Sequence, residues 1–186
     1  MNSEKIRTQT KNWLKSFIIK YNICPFAGRE DERNSIHYAV VESKHTDLCL
    51  EAVFTECQRL DQEPQIETTL IIFPFHLSQF DDYLEFLSMA ESLLAKQHYQ
   101  GVYQLASFHP MYCFEGELVT DPANYTNRSP YPMLHVIREK SLEHALQSYP
   151  NPELIPERNI KLTRDLGNEK IQAILTTALS SNTKSC

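Results

Sequence analysis

The chain has 186 residues and a formal net charge of −6 at neutral pH. Because a nucleic-acid-binding surface is normally basic, this acidic balance argues against a nucleic-acid partner. No apolar run reaches the roughly 20 residues that a membrane helix needs, and the first residues do not resemble a secretion signal, so we expect a cytoplasmic protein with no membrane partner. The length predicts one globular domain over residues 1–180, followed by a flexible tail over 181–186.

The first predicted element is an amphipathic helix over residues 3–21. Its inward positions recur at helical spacing and are Ile6, Thr10, Trp13, Phe17 and Tyr21. The helix is predicted to end before Cys24 and Pro25, because proline disfavours helical backbone in the residue before it. Cys24 then lies in a loop, where a buried inert thiol and a nucleophile beside a histidine are both compatible with the sequence.

Strands and helices then alternate along the chain. We predict strands at 36–42, 68–73 and 102–108, separated by helices over 46–62 and from Ser78 onward. This order favours an α/β fold with a small parallel sheet of three or four strands that is covered by helices. The inward face of the helix after Ser78 is predicted to hold Phe80, Leu84, Leu87 and Leu94.

The C-terminal third of the chain is predicted to be helical. Ser129 and Pro130 support a helix start, because serine is a good N-cap and proline suits the first helical position. Gly167 is read as a helix stop. The four helices are expected at 130–138, 141–148, 156–166 and 168–179.

A long polar loop between the third strand and the helix predicted at 130 is the candidate site. Loops of this length are usually functional or disordered, and the aromatic residues and prolines of this one favour order. His109 directly follows the strand, and ligands of open α/β sheets bind beyond the carboxyl ends of the strands. We interpret His109 as a general acid/base or a ligand. The alternative is a histidine that bonds to a backbone carbonyl at the strand end.

The helix start predicted at 130 also has the features of an anion site. Free N–H groups and the helix dipole attract an anion there, and Arg128 would clamp it. Alternatively, Ser129 only caps the helix and Arg128 pairs with an acid such as Asp121. Substrate contacts are assigned to the polar residues of this segment, namely Tyr112, Asp121, Asn124, Asn127, Arg128 and Ser129.

Catalytic roles are assigned to His109, His135 and Cys24. His135 and Glu139 would lie four residues apart on one helix face, a spacing that can orient an imidazole or hold a metal. No metal is assigned, but a bound metal would be held by His109, His135 and Glu139. The chain has only four glycines and no dinucleotide-binding fingerprint, and the sequence identifies no cofactor.

Several segments together carry a resemblance to a known family. They are Cys24-Pro25-Phe26-Ala27, Ser107-Phe108-His109-Pro110, the block from Asp121 to Pro132, Leu134-His135 with Arg138-Glu139, and the segment from Ile155 to Ile160. In these segments the chain resembles the bacterial and plant family catalogued as domain of unknown function 1415. The resemblance covers nearly the whole chain and implies a soluble single-domain protein, but it carries over no catalytic role.

Two classes of function follow from the sequence. The first is a small-molecule enzyme that performs hydrolysis or group transfer on an anionic substrate, through a His/Arg site at the carboxyl ends of the strands. The alternative is a non-catalytic module that binds a small anion or a protein partner through the loop over 109–135. The oligomeric state is left open.

Overall fold

The computed structural model describes residues 2–180, so the tail predicted over 181–186 lies outside the described residues. A π-helix (Leu14–Ile19) directly continues the first α-helix, and short 3-10 helices lie at Pro122–Thr126 and Pro152–Leu154. Within the described range, no helix is both long and apolar enough to cross a membrane. The α-helices are α1 (Ser3–Trp13), α2 (Ala27–Glu32), α3 (Thr46–Gln62), α4 (Phe80–Lys96), α5 (Glu139–Gln147), α6 (Ile155–Leu166) and α7 (Asn168–Ser180).

Four strands form one sheet in the order β1-β2-β4-β3. They are β1 (Ile36–Val40), β2 (Thr68–Ile72), β3 (Tyr103–Phe108) and β4 (Met133–Arg138). β1 and β2 are parallel, whereas β4 is antiparallel to both β2 and β3. The predicted α/β fold with a small sheet is confirmed, and β1, β2 and β3 run in one direction. The sheet is mixed rather than wholly parallel, because β4 lies between β2 and β3 in the opposite direction.

The prediction of a helix over 130–138 is wrong, because Met133–Arg138 form the strand β4. This strand pairs with a neighbour on each side. A strand buried on both faces is nearly continuous in apolar residues, so its pattern is easily confused with that of a buried helix. Glu139 begins α5 instead, and His135 and Glu139 therefore do not share a helix face.

Side chains alternate across the sheet and divide the core into two layers. Leu70, Ile72 and Met133 belong to the layer that packs against α1, the π-helix and α7. Ile71 and Leu134 belong to the opposite layer, which packs against α3 and α4. The inward face predicted for the first helix is confirmed at Ile6, Thr10, Trp13 and Phe17, which are buried, whereas Tyr21 follows the π-helix and is only partly buried.

The inward face of α4 agrees with the prediction at Leu94, which is buried, but it is rotated by about one residue at Leu84. Leu84 was expected inside but is 41% exposed. The hydroxyl of Tyr83 explains the rotation, because it donates to the Met133 carbonyl at 2.8 Å and accepts from the Phe108 N–H at 2.9 Å. These two bonds tie the helix to both β3 and β4. The residues that α4 buries are Tyr83, Phe86, Ala90 and Leu94.

The other predicted helices of the C-terminal third are confirmed to within about two residues. Gly167 follows the last residue of α6 with a φ of 74°, a backbone conformation that residues other than glycine rarely adopt. The packing of α6 and α7 thus depends on a sharp turn at this glycine.

Alanine substitutions at Phe86 and Leu84 form a matched pair that tests which face of α4 is buried. Phe86 is fully buried and packs edge-to-face on Phe73, with ring centroids 5.1 Å apart. We expect Phe86→Ala to lower the free energy of unfolding by about 3–5 kcal/mol. Leu84→Ala should change it by less than about 1 kcal/mol, as expected for a largely exposed site. Equal losses in urea unfolding would contradict the assigned helix rotation.

Candidate functional site

A cavity of about 540 Å³ lies between the sheet and the N-terminal helical segment. We call it the sheet cavity. Its floor consists of alternate residues of all four strands, which point to one face: Ile36, Thr68, Leu70, Ala106, Phe108, His135 and Ile137. Its walls come from the end of α1, the π-helix, the segment around Cys24 and the helix α5. Most of this lining is apolar, so a ligand would mainly bury carbon surface there.

Strand register explains why His135 lies at the centre of this floor. Leu70 of β2 and Ala106 of β3 are the direct neighbours of His135 in β4. Ile36 and Thr68 are the first residues of β1 and β2. The cavity therefore lies against one face of the sheet, over the amino-terminal residues of β1 and β2 and the carboxyl-terminal half of β3, and not beyond the carboxyl ends of the strands as expected from the sequence.

The imidazole of His135 is held by a short chain of hydrogen bonds. Its Nε2 lies 2.6 Å from the Thr68 hydroxyl, which in turn lies 2.5 Å from the Val136 carbonyl. Burial lowers the pKa of His135 to about 4. The ring is therefore neutral near pH 7 and is fixed in orientation at the cavity surface.

Cys24 is a lining residue in the wall of the same cavity. Burial raises the pKa of Cys24, and this effect outweighs the backbone N–H groups of Phe26 and Ala27 and the charge of Arg158, which lower it. At neutral pH the group is a thiol rather than a thiolate, and the thiolate is the nucleophilic form.

Charged side chains surround the mouth of the cavity. Arg29 and Arg33 each lie within 4 Å of Glu30, at 3.7 and 3.9 Å. Lys140 of α5 also lines the cavity and forms no ion pair with any residue in the range 2–180. Glu67 also lines the cavity, so the charged lining combines three cations with two carboxylates, and Lys140 is the cation that can meet an acidic substituent without breaking an ion pair, while most of the floor is apolar.

His109 lies at the carboxyl end of β3, as predicted, but it is fully buried and outside the cavity lining. Its Nδ1 accepts from the Met111 N–H at 3.0 Å, so its Nε2–H donates to the Leu77 carbonyl at 2.9 Å. Burial lowers the pKa of His109, and this effect outweighs the hydrogen bond to Leu77, which raises it. Both ring nitrogens are thus used, which supports the alternative of a histidine that holds the strand end.

The polar residues predicted to bind an anion instead hold the backbone of their own loop. Arg128 donates to the carbonyls of Tyr112 and Val119, at 3.0 and 2.7 Å. Ser129 donates to the Tyr131 carbonyl at 2.6 Å and caps no helix, because none begins there. The helix N-terminus on which the anion prediction was based does not exist, and Arg128 stacks over Tyr125 rather than facing the cavity.

Asn124 lies at the centre of this loop and is fully buried. Its side chain accepts from the Phe114 N–H at 2.9 Å and donates to the Leu118 carbonyl at 2.8 Å. Asn127 donates to the Ser107 carbonyl at 3.0 Å and thereby ties the loop to β3. These bonds fix the loop so that its tip, Leu118, remains 75% exposed.

Two further loop residues have similar structural contacts. Asp121 accepts from the Ala123 N–H at 2.8 Å and from Arg164 of α6 at 2.8 Å, and the Arg164 bond holds the pKa of Asp121 below its ordinary value. The Tyr112 hydroxyl lies 3.3 Å from the Ser107 hydroxyl. The loop is therefore a closed hydrogen-bonded unit clamped by α6.

The structure brings together two of the three predicted catalytic residues. Cys24 and His135 line the sheet cavity, whereas His109 and Arg128 are not among the residues that line it. His109, His135 and Glu139 are likewise not grouped as metal ligands. Within the described residues, no three His, Cys, Asp or Glu side chains lie close enough together to hold a metal ion.

Thr68, Trp13 and Lys140 also line the cavity, although the sequence did not identify them as site residues. Thr68 begins a strand as an ordinary β-branched residue, and its contact with His135 depends on a pairing 67 positions away in the chain. If Met133–Arg138 had been predicted as a strand, the sequence would have placed His135 and Ile137 on the same face of the sheet, which is the face that lines the cavity.

A second depression of about 480 Å³ lies between β1 and α3. It is shallow, and three of the ionisable groups that line it already pair with one another. Glu56 lies 3.1 Å from Arg59 and 3.6 Å from His37. The deeper, apolar sheet cavity is therefore the better candidate for a ligand.

Comparison with known proteins identifies a family. The family model described as "Protein of unknown function (DUF1415)" matches residues 5–173. No curated protein and no solved structure matches the chain.

The neutral state of His135 predicts a pH dependence of stability. Its pKa is about 4 in the fold and near 6.5 when unfolded, so the unfolded state binds more protons between these values. The free energy of unfolding should therefore fall as pH drops from about 6.5 to about 4, with about 3 kcal/mol attributable to this residue. Urea unfolding across this window should show a smaller loss for His135→Phe, and parallel curves would contradict the assignment.

Asn124 and Asn168 test the structural role of the loop residues. Asn124→Ala leaves the Phe114 N–H without its partner and removes one of the two donors to the Leu118 carbonyl, so we expect a loss of about 1–3 kcal/mol in unfolding free energy. Asn168 donates to the Thr120 carbonyl of the same loop from a more exposed position, at 2.8 Å. Asn168→Ala should cost less than about 1 kcal/mol. A stability loss in Asn124→Ala no larger than in the control would refute the structural role.

Proposed function

Because the chain belongs to the DUF1415 family of proteins, whose description assigns no activity, we propose from the geometry that it binds a small, mostly apolar molecule in the sheet cavity. One observation carries this proposal. A cavity of about 540 Å³ lined mainly by apolar side chains contains an imidazole whose orientation is fixed by Thr68. Small-molecule sites typically combine an apolar cavity of this size with a few oriented polar groups.

The position of α5 supports a ligand of this kind. Ser141, Leu142 and Ala145 of this helix line the cavity, yet none of the residues of α5 is buried. A helix that covers apolar surface without burying its own side chains leaves space that a ligand can fill. The ligand would gain hydrophobic free energy from both the sheet and α5.

The cations at the mouth support an acidic substituent on the ligand. Lys140 lies on α5, whereas Arg29 and Arg33 lie on the segment across the mouth. An anionic group near Lys140 would keep its hydration while the apolar body enters the cavity. We therefore propose that an anionic group binds at this mouth rather than on the loop over 109–135.

Hydrolysis or group transfer on an anionic substrate is the second candidate function. The observation that favours it is that Cys24 and His135 line the same cavity. Against it, burial keeps Cys24 protonated and makes His135 a weak base. Alkylation of Cys24 by iodoacetamide at neutral pH separates the two candidates. If the cavity only binds a ligand, the Cys24 thiol should be alkylated more slowly than the thiol of glutathione. If Cys24 is an activated nucleophile, it should be alkylated faster than glutathione.

The single tryptophan of the chain provides a test of the binding proposal. Trp13 is buried and lines the cavity, so its fluorescence reports occupancy. The dye 1-anilinonaphthalene-8-sulfonate has an apolar body and an anionic end. We expect saturable binding of one dye per chain, with quenching of Trp13 by energy transfer to the dye.

Two variants of α5 serve as a matched pair for this titration. Ala145→Phe adds a ring on the cavity side and should weaken dye binding at least about tenfold, because it fills the space that the dye needs. Glu143→Phe adds the same ring at an exposed position outside the cavity lining and should leave affinity unchanged. Equal affinity of both variants and the wild type would refute binding in this cavity.

A further inference from the structure

The geometry points to a specific ligand class: His135 selects an apolar molecule that carries a neutral O–H or N–H donor, such as a phenol, an alcohol or an amide. This inference rests on the proposed binding function and concerns the floor of the cavity rather than its mouth. It follows from the hydrogen bonds of Thr68, which determine which ring nitrogen of His135 carries the proton.

The Thr68 hydroxyl has one hydrogen and two close neighbours. The Val136 carbonyl, at 2.5 Å, can only accept, so the hydroxyl donates to it. The contact of 2.6 Å with His135 is then a hydrogen bond only if Nε2–H donates to the hydroxyl oxygen. In a neutral imidazole with a proton on Nε2, the other nitrogen, Nδ1, carries a lone pair and accepts.

Nδ1 of His135 is available to a ligand. It has no hydrogen-bond partner among the described residues, and it is not one of the polar atoms sealed inside the protein. The ring lines the sheet cavity, and its neighbours in the same row of the floor, Leu70 and Ala106, are apolar. A molecule that displaces water from this floor must therefore supply a donor or leave a desolvated acceptor unpaired.

The charge of the ring decides against an anion at this position. Because burial lowers the pKa of His135 to about 4, the ring is not an imidazolium near neutral pH. A carboxylate oxygen next to the Nδ1 lone pair would place two acceptors in contact without a hydrogen. An acidic group on the ligand would thus point towards Lys140 at the mouth, with the neutral donor on the floor.

The pair 2-naphthol and 2-methoxynaphthalene tests this selection, because the two differ in the hydroxyl hydrogen that a donor needs. Their dissociation constants can be measured by ligand-observed NMR with the wild type and with His135→Phe. We expect the wild type to bind 2-naphthol at least about fivefold more tightly than the ether. In His135→Phe, which keeps a ring but has no acceptor, the two affinities should become equal.

The outcomes separate this inference from the function on which it rests. Similar binding of both compounds by the wild type would overturn the selection by His135 and leave the binding function standing. Binding of neither compound would overturn both. If His135→Phe fails to fold, the imidazole 15N shifts of the wild type decide. A protonated Nε2 and an unprotonated Nδ1 support the inference, and the reverse tautomer refutes it.

Discussion

The antiparallel insertion of β4 between β2 and β3 is the constraint on which the rest of the structure depends. Hydrogen-bond ladders on both sides fix the register of β4, so that Leu134 and Val136 face α3 and α4 while His135 faces the opposite layer. The Tyr83 hydroxyl joins α4 to the Met133 carbonyl and to β3. A shift of one residue in β4 would bury His135 under α4 and remove the polar group from the cavity.

Most of the first hundred residues could be predicted from the sequence, because local patterns mark their elements. The strand–helix alternation up to β3 and the inward face of α1 are confirmed. The prediction failed at Met133–Arg138 for two reasons. Ser129 and Pro130 have the sequence pattern of a helix start, and a strand buried on both faces lacks the alternation of apolar and polar residues that marks other strands. Only the pairing with β2 and β3, which lie far away in the chain, determines this strand.

The candidate site was predictable only in part, because a polar side chain in a loop can either bind a ligand or hold the backbone of the loop. Arg128 and Asn124 were interpreted as ligand-binding residues, yet both donate hydrogen bonds to carbonyls of their own loop. The sequence alone does not show whether the partner of such a side chain is a backbone carbonyl or a ligand. The cavity is built from ordinary residues such as Thr68 and Ala106, which come together only in the sheet. Of the predicted catalytic residues, Cys24 and His135 are the two that line it.

Methyl NMR tests the central claim, that the sheet cavity is the binding site, most directly. With isoleucine, leucine and valine methyl groups labelled, a titration with 2-naphthol should shift the signals of Ile18, Ile36, Ile137 and Leu142, which line the cavity. Methyl groups of the opposite core layer should change little. Shifts confined to Leu118 and Val119, at the exposed tip of the loop over 109–135, would contradict the account and place recognition on that loop instead.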